Sequence, residues 1–346
     1  MNNVAPEASK AALSVAVCTL NGASYLQEQL NSIIAQSRLP DELVICDDRS
    51  EDETLDIIKV FASAAPFPVR VFANQERLGL IKNFEKAIRL CNGEIIALSD
   101  QDDVWQPEKL KRLEQALLSA PDVGLVFSDA DVVDEHLTPL GSRLWDFWFT
   151  PQKRRSVMNG RAVGAVLRGN FVTGATMAFK AKFKEAILPI PTGTPLIHDG
   201  WIALVIAVLA ELAFIDEPLI LYRQHRKQFI GVGNGGAEPG QPVNHQSRSE
   251  ILDEMADKFC SHFEDLKPGL ERLERSCVKH DWPKGAARLE AGIAYHHGLI
   301  DHYRNRARIT SGKRVTRLPA TLKELFTWRY HQHSKGLYSA VRDVFL

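Results

Sequence analysis

Along the first part of the chain, short apolar runs alternate with longer stretches whose apolar residues recur every three or four positions. Leu13–Cys18, Glu42–Cys46, Val69–Phe72, Glu94–Leu98 and Val123–Phe127 read as strands. Between them, Tyr25–Gln36 reads as a helix with Leu26, Leu30, Ile33 and Ile34 on one face, and Leu55–Phe61, Ile81–Leu90 and Pro107–Leu118 read as three more. Ser50 and Glu53 have the spacing of a capping box, and Pro107 suits a first helical turn. Strand and helix in strict alternation, joined by short loops, predict a mostly parallel α/β sheet covered by helices on both faces.

Beyond Asp129 the pattern is less regular. Trp145, Phe147, Trp148 and Phe149 form an aromatic cluster before the basic turn Lys153-Arg154-Arg155, which suits a packing ridge somewhat better than the wall of a site. Asn170–Phe179 reads as a strand with a tight glycine approach. His198-Asp199-Gly200-Trp201 opens an apolar helix, with Asp199 where a helix N-terminus favours an acid, and Leu219–Tyr222 reads as a short strand. Gly231–Pro242 holds five glycines and two prolines and predicts a mobile loop, one that could close over a ligand. From Ser247 to Arg306 the pattern is largely helical. The expected layout is a disordered N-terminus (1–12), an α/β domain (13–228), a flexible loop (229–246) and a helical C-terminal extension with a basic tail (247–346).

The overall charge of −1 hides an asymmetry. From Arg304 to the end there are ten Lys or Arg against Glu324 and Asp343, so this tail is +8 and the rest is −9. Leu325, Phe326, Trp328, Tyr330, Leu337, Tyr338, Val341 and Phe345 interleave with the cations, a pattern that suits a membrane surface. Cys18, Cys46, Cys91, Cys260 and Cys277 are odd in number and form no CxxC pair, which argues against a disulfide framework or a zinc site. No signal-peptide pattern opens the chain. The longest apolar stretch, Trp201–Ala210, is about half of the ~20 residues a membrane span needs. A cytoplasmic protein is expected, in contact with the membrane at most peripherally.

The candidate chemistry lies in the turns. Thr19-Leu20-Asn21 follows the first strand, Asp47-Asp48-Arg49-Ser50 the second, Asn74–Arg77 the third and Asp100-Gln101-Asp102-Asp103 the fourth. In a parallel sheet these four points share one edge, where open α/β folds bind ligands. Three carboxylates within four residues repel one another and resist desolvation, and a hard cation carrying a diphosphate would offset both. Mg²⁺ or Mn²⁺ commonly needs only one or two protein carboxylates, with phosphates supplying the rest.

With these motifs the chain resembles the inverting family-2 glycosyltransferases of the GT-A (Rossmann-like) fold, over roughly residues 13–226. The resemblance rests on Thr-x-Asn at 19–21, Asp-Asp-x-Ser at 47–50, Gly-x-x-Lys-Asn at 79–83, Asp-x-Asp-Asp at 100–103 and His-Asp-x-Trp at 198–201, in that order. Ser-Asp-Gln-Asp-Asp-Val-Trp, His-Asp-Gly-Trp and Tyr-Arg-Gln-His look most like bacterial rhamnosyltransferase-type members. The resemblance implies that Thr19, Asn21, Asp47, Asp48, Lys82 and Asp102 line the nucleotide pocket, with either Asp47 or Asp48 reading the base. It implies metal ligation by Asp103 with Asp102 and His225, and it makes Asp199 the catalytic base. Asp100, Trp105, Trp201 and Arg223 are candidates for the donor or acceptor pocket. The implied partners are a dTDP- or UDP-sugar and a glycan or lipid-linked acceptor in cell-surface polysaccharide synthesis, and no nucleic acid. One base suffices for such a transfer, because the leaving diphosphate is already activated.

Three other functions fit less well. A nicotinamide dehydrogenase would want Gly-x-Gly-x-x-Gly after the first strand, where this chain has one glycine. A sugar nucleotidyltransferase would open with a Gly-rich basic loop, which is missing. A nucleotide-sugar binding protein without turnover would have no use for Asp199.

Overall fold

The computed structural model describes residues 11–226, 228, 247–312, 314–326, 329–334 and 337–345. The expectations placed on residues 1–10 and on the Gly231–Pro242 segment lie outside the described residues. The described residues form two compact units. One comprises the chain to Ala162, Asn170–Thr192, and the segment from Leu196 through the last strand; the other takes Val163–Gly169, Gly193–Pro195 and the C-terminal helices.

The first unit begins with the expected alternation: β1 (Leu13–Thr19), α1 (Leu26–Ile34), β2 (Glu42–Asp47), α2 (Thr54–Ala64), β3 (Val69–Ala73), α3 (Leu80–Leu90) and β4 (Ile95–Ser99). A two-residue β5 (Val104–Trp105), α4 (Lys109–Ser119), β6 (Val123–Val133) and β7 (Pro139–Arg143) follow. Then come the short helices α5 (Leu144–Trp148) and α6 (Pro151–Met158), β8 (Met177–Lys180), α8 (Lys184–Ile187), α9 (His198–Leu209) and β9 (Glu211–Arg223), while α7 (Ala162–Leu167) belongs from Val163 onward to the second unit. One sheet runs in the order β3-β2-β1-β4-β8-β6-β9-β5, with β7 pairing β6. β1, β2, β3 and β4 pair in parallel. The second half is mixed: β8 runs antiparallel to β4 and β6, while β6 and β9 are parallel.

All seven residues of β1 and all six of β2 are buried, as expected of strands covered on both faces. Leu26, Leu30 and Ile33 of α1 and Leu110, Leu113 and Leu117 of α4 pack into the same core as Val15, Val17 and Ile45. Each such buried side chain stabilises the fold by about 1.5–3 kcal/mol. The aromatic cluster divides. Trp145 and Phe149 are buried against Phe127, Phe171 and Phe214, while Phe147 and Trp148 are exposed. Arg154 stacks 4.6 Å above the Trp145 ring.

Three local expectations are corrected. Ser50 and Glu53 do not form a capping box: Ser50 bonds Asp47, and the first helical amide, Thr54 N–H, is taken by Asp52 Oδ1 at 3.1 Å. Asn170–Phe179 is not one strand. The Asn170 side chain folds back on Val172, donating to its carbonyl and accepting from its N–H, and Gly174–Thr176 is a 3₁₀ turn before β8. The strand read at Leu219–Tyr222 is the end of β9, whose earlier residues are half-buried and follow no clean alternation.

In the second unit, α10 (Arg248–Lys279) and α11 (Pro283–Ser311) pack along each other through Leu252, Ala256, Leu299, Ile300, Tyr303 and Ala307. Ser247 and Glu250 cap α10 reciprocally. α12 (Arg314–Phe326), α13 (Arg329–His333) and α14 (Leu337–Phe345) complete it. Among the described residues all five cysteines are free, and no helix is long and apolar enough to cross a membrane.

Candidate active site

The turns after β1 and β2 are stitched into one surface by short polar side chains. Thr19 Oγ1 donates to Asp47 Oδ2 at 2.7 Å, and Ser50 donates to the same carboxylate through its N–H and its hydroxyl, at 2.8 and 2.6 Å. Asn21 takes a left-handed φ of 48°. That conformation lets its N–H reach Ser50 Oγ and its side-chain oxygen accept from Glu51 N–H, both at 2.8 Å. Asp48 organises the next turn, accepting from Asn74 Nδ2 at 2.8 Å, Leu78 N–H at 2.7 Å and Gly79 N–H at 2.8 Å. Both acids are buried. Lys82 sits on α3, where its ammonium meets Glu85 at 2.7 Å and the Ile190 carbonyl at 3.0 Å.

The acidic turn after β4 is held from three sides. The Gln101 amide exchanges two hydrogen bonds with the Leu20 backbone, at 2.8 and 3.0 Å. From α1, the Gln29 amide donates to the Asp103 carbonyl at 2.6 Å while its oxygen accepts from the Trp105 indole N–H at 3.1 Å. From the end of β9, Arg223 donates its N–H to Asp103 Oδ1 at 3.1 Å and its Nε to the Asp102 carbonyl at 2.7 Å. The same guanidinium binds the Glu135 carbonyl and Glu28 and lies 4.7 Å from the centre of the Tyr25 ring. Arg223 was expected in the pocket. The structure makes it a buried strut beneath the turn, which no local sequence signal could have revealed. His225 Nε2 lies 2.9 Å from Asp102 Oδ2, with its ring against Tyr25.

These carboxylates are in an environment that resists their charge. Burial, then the neighbouring Asp102 and Asp199, raises the Asp100 carboxyl above its usual range. Burial, then Asp102 and Asp100, also raises Asp103 well above that range. Asp103 Oδ2 is buried and has no hydrogen-bond partner among the described residues. Native structures rarely leave such an atom unpartnered. A second signal that sequence reading missed is Lys109, on the first turn of α4 and completely buried. Its ammonium donates to the Ala175 carbonyl at 2.6 Å and sits 3.3 Å over the Trp105 ring, close enough to Asp103 and Asp100 to act on both. Trp105 is thereby a packing platform for a cation.

The donor set fits a hard divalent cation: carboxylates at one strand end, one with an orphaned oxygen. Among the described residues no three His, Cys, Asp or Glu side chains converge into a protein-only cage.

Asp199 opens α9 and is buried. Its Oδ1 accepts from Asn170 Nδ2 at 3.0 Å and from Gly200 N–H at 2.6 Å, and its Oδ2 from Gly174 N–H at 3.2 Å. Burial pushes its carboxyl up to about 6, against those backbone hydrogen bonds. Gly174 is required for this contact, since a Cβ there would come within 2.9 Å of His198 Nε2. His198 stacks on Phe84 with ring centres 4.0 Å apart, and burial lowers it to about 3, so it stays neutral. Trp201 is completely buried, with its indole N–H on the Ile187 carbonyl at 2.9 Å. It is a core residue, and the pocket role expected of it is corrected. Lys109 and Asp199 hold adjacent residues of one turn, Ala175 and Gly174. Tyr222 on β9 feels Asp103, Asp100, Asp102 and Asp199 together, all raising its hydroxyl after burial itself. The acidic turn and Asp199 therefore share one neighbourhood.

The chain is similar to known glycosyltransferases. Residues 14–174 match the family described as glycosyl transferase family 2. An uncharacterized glycosyltransferase of Nostoc sp. is 27% identical over 72% of this chain and 75% of its own. The dTDP-rhamnosyl transferase RfbG of Shigella flexneri is 26% identical over 62% of this chain and 73% of its own. Among solved structures, the mannosyltransferase PcManGT of Pyrobaculum calidifontis, in complex with GDP-Man and Mn²⁺, superposes with a TM-score of 0.47 at 18% identity, covering 99% of this chain and 89% of that one.

Proposed function

We propose, from the match of residues 14–174 to glycosyl transferase family 2, that the chain is an inverting, metal-dependent glycosyltransferase moving a sugar from a nucleoside diphosphate to a hydroxyl. The single observation that carries this reading is the orphaned, buried Asp103 oxygen at the end of β4. Asp103 with Asp102 would hold Mg²⁺ or Mn²⁺, whose charge stabilises the departing diphosphate. His225, against Asp102, orients that carboxylate. Thr19, Asn21, Asp47 and Asp48 shape the nucleotide side of the edge through the hydrogen bonds that fix the β1 and β2 turns. Asp199 takes the proton from the acceptor hydroxyl as it attacks. Its raised carboxyl supports this role, since a base poised near neutrality is more effective than an ordinary carboxylate. Attack opposite the leaving group inverts the anomeric centre.

The Shigella relative's name, a dTDP-rhamnosyl transferase, favours dTDP-rhamnose as the donor, and the acceptor we infer is a hydroxyl of a glycan or lipid-linked carrier. The test is a thermal-shift screen of dTDP-, UDP- and GDP-sugars with and without Mn²⁺, followed by product analysis of the best ligand. A dTDP- or UDP-sugar is expected to raise the melting temperature only with metal, and slow turnover should release the nucleoside diphosphate. Release of pyrophosphate would identify a nucleotidyltransferase instead. Binding without any turnover, with acceptors supplied, would identify a binding protein.

A further inference from the structure

The C-terminal unit carries a surface that the transfer chemistry does not use. Nineteen large hydrophobic side chains are exposed among the described residues, and six of them fall between 318 and 341. Leu318, Leu322 and Phe326 stand one helical turn apart along α12, the last of them 84% exposed, and Leu337, Tyr338 and Val341 stand on α14. The two helices pack against each other. Spacing of four residues puts each set on one face of its helix.

The charges of these helices are sorted by sign. Glu324 and Asp343, the two acids from residue 304 onward, are both turned inward. Asp343 is completely buried, accepting from Arg248 Nε at 2.9 Å, Arg306 Nε at 2.6 Å and the Tyr330 hydroxyl at 2.7 Å. Glu324 meets His302 Nδ1 at 3.3 Å and Arg329 at 3.7 Å. Internal ion pairs thus consume both acids. Lys323 and Arg342 remain exposed beside the apolar residues, and no described acid of α12 or α14 faces water.

Large apolar side chains rimmed by cations, with the acids withdrawn, complement one kind of surface. We propose that α12 and α14 lie in the interface of an anionic lipid bilayer, with Leu318, Leu322, Phe326, Leu337, Tyr338 and Val341 entering the headgroup boundary and Lys323 and Arg342 meeting lipid phosphates. Amphipathic helices bind such surfaces by apolar burial plus attraction to negative headgroups. The proposal does not depend on the donor, the metal or the assignment of the base.

The test is co-sedimentation of the full chain with vesicles of phosphatidylcholine alone and of phosphatidylcholine mixed with phosphatidylglycerol. The protein should pellet with the mixed vesicles at low salt and partly release as salt rises. Leu322→Ser with Phe326→Ser should weaken binding by on the order of tenfold or more, since two exposed apolar anchors are lost. Lys323→Glu with Arg342→Glu should abolish the preference for anionic vesicles. All four side chains are exposed, and circular dichroism checks that each variant keeps its helices. Wild-type protein that stays in the supernatant with both vesicles, or variants that pellet like wild type, overturn the proposal. So does a dimer in light scattering that Leu322→Ser with Phe326→Ser dissolves without any vesicle binding. That outcome would make the face a contact between two copies.

Discussion

Asp103→Asn is expected to abolish transfer while making the metal-free protein more resistant to heat. The two effects have one cause. Asp103 is buried, its Oδ2 has no partner among the described residues, and Asp102 and Asp100 stand beside it. Because its folded-state pKa is raised above the unfolded value, the group's contribution to stability is fully present only below the unfolded carboxylate range. That contribution is lost as pH rises through the folded pKa, so at neutral pH the metal-free fold bears the strain. Asparagine removes the ionisable group at nearly constant volume. A gain of about 1 kcal/mol would raise the melting temperature by about 2–4 °C in a domain of this size. The cation's contribution at the leaving diphosphate disappears with the carboxylate, and the rate should fall by at least ~10²-fold, as when other charge-stabilising groups are removed. Melting curves from acid to neutral pH, with and without Mn²⁺, check this. The wild type should lose stability as pH rises and regain it with Mn²⁺; the variant should lose less, since only the raised Asp100 and Asp199 carboxyls remain, and should not respond to Mn²⁺. A variant that melts below wild type without metal and still responds to Mn²⁺ would refute the assignment.

Asp199→Asn should leave donor binding nearly unchanged and reduce turnover by ~10²–10⁴-fold, the range for a positioned general base. The amide can still accept from Gly174 or Gly200 N–H, so the turn should survive. The pH profile gives a second check with a definite sign. A base acts when deprotonated, and burial sets this carboxyl at about 6. Wild-type turnover should therefore fall as pH drops below about 6, well above the range of an ordinary aspartate. Loss of donor affinity with turnover intact would instead make Asp199 a binding or structural residue.

The first half of the sheet was legible in the sequence because its information is local. β1 to β4 are apolar runs of five to seven residues, and the helices between them show their faces by spacing. The common edge follows from the parallel order of β1 to β4, which puts Thr19, Asp47 and Asp103 along it. The supports of the site were not legible, because they come from far along the chain. Arg223 reaches Asp103 across 120 residues, and Lys109 reaches Ala175 across 66. A buried lysine in the first turn of a helix looks like any surface cation in sequence. Ser50 misled for the opposite reason: its spacing to Glu53 suits a cap, but its hydroxyl donates to Asp47 and accepts from Asn21 N–H, across to the neighbouring turn. Trp201 followed a motif, and its burial was set by the apolar helix around it.

The pairing of β6 with β9 bears on how such a chain can change length. Between Val123 and Asp131 the register slips repeatedly, with Ser128 opposite Ile215 but Asp129 opposite Pro218. From there Asp131, Val132 and Val133 meet Leu221, Tyr222 and Arg223 one to one. Successive strand residues face opposite sides, so an odd slip in that last stretch would exchange Tyr222 and Arg223 and withdraw the strut from the acidic turn. Slack is concentrated upstream, around 215–218, as in a cable with its play at the anchored end. Single-residue insertions scanned along β9 should be tolerated there and should eliminate activity between 219 and 223. Gene duplicates drifting apart by insertion and deletion would then keep the last turn of this strand at fixed length even where its residues change.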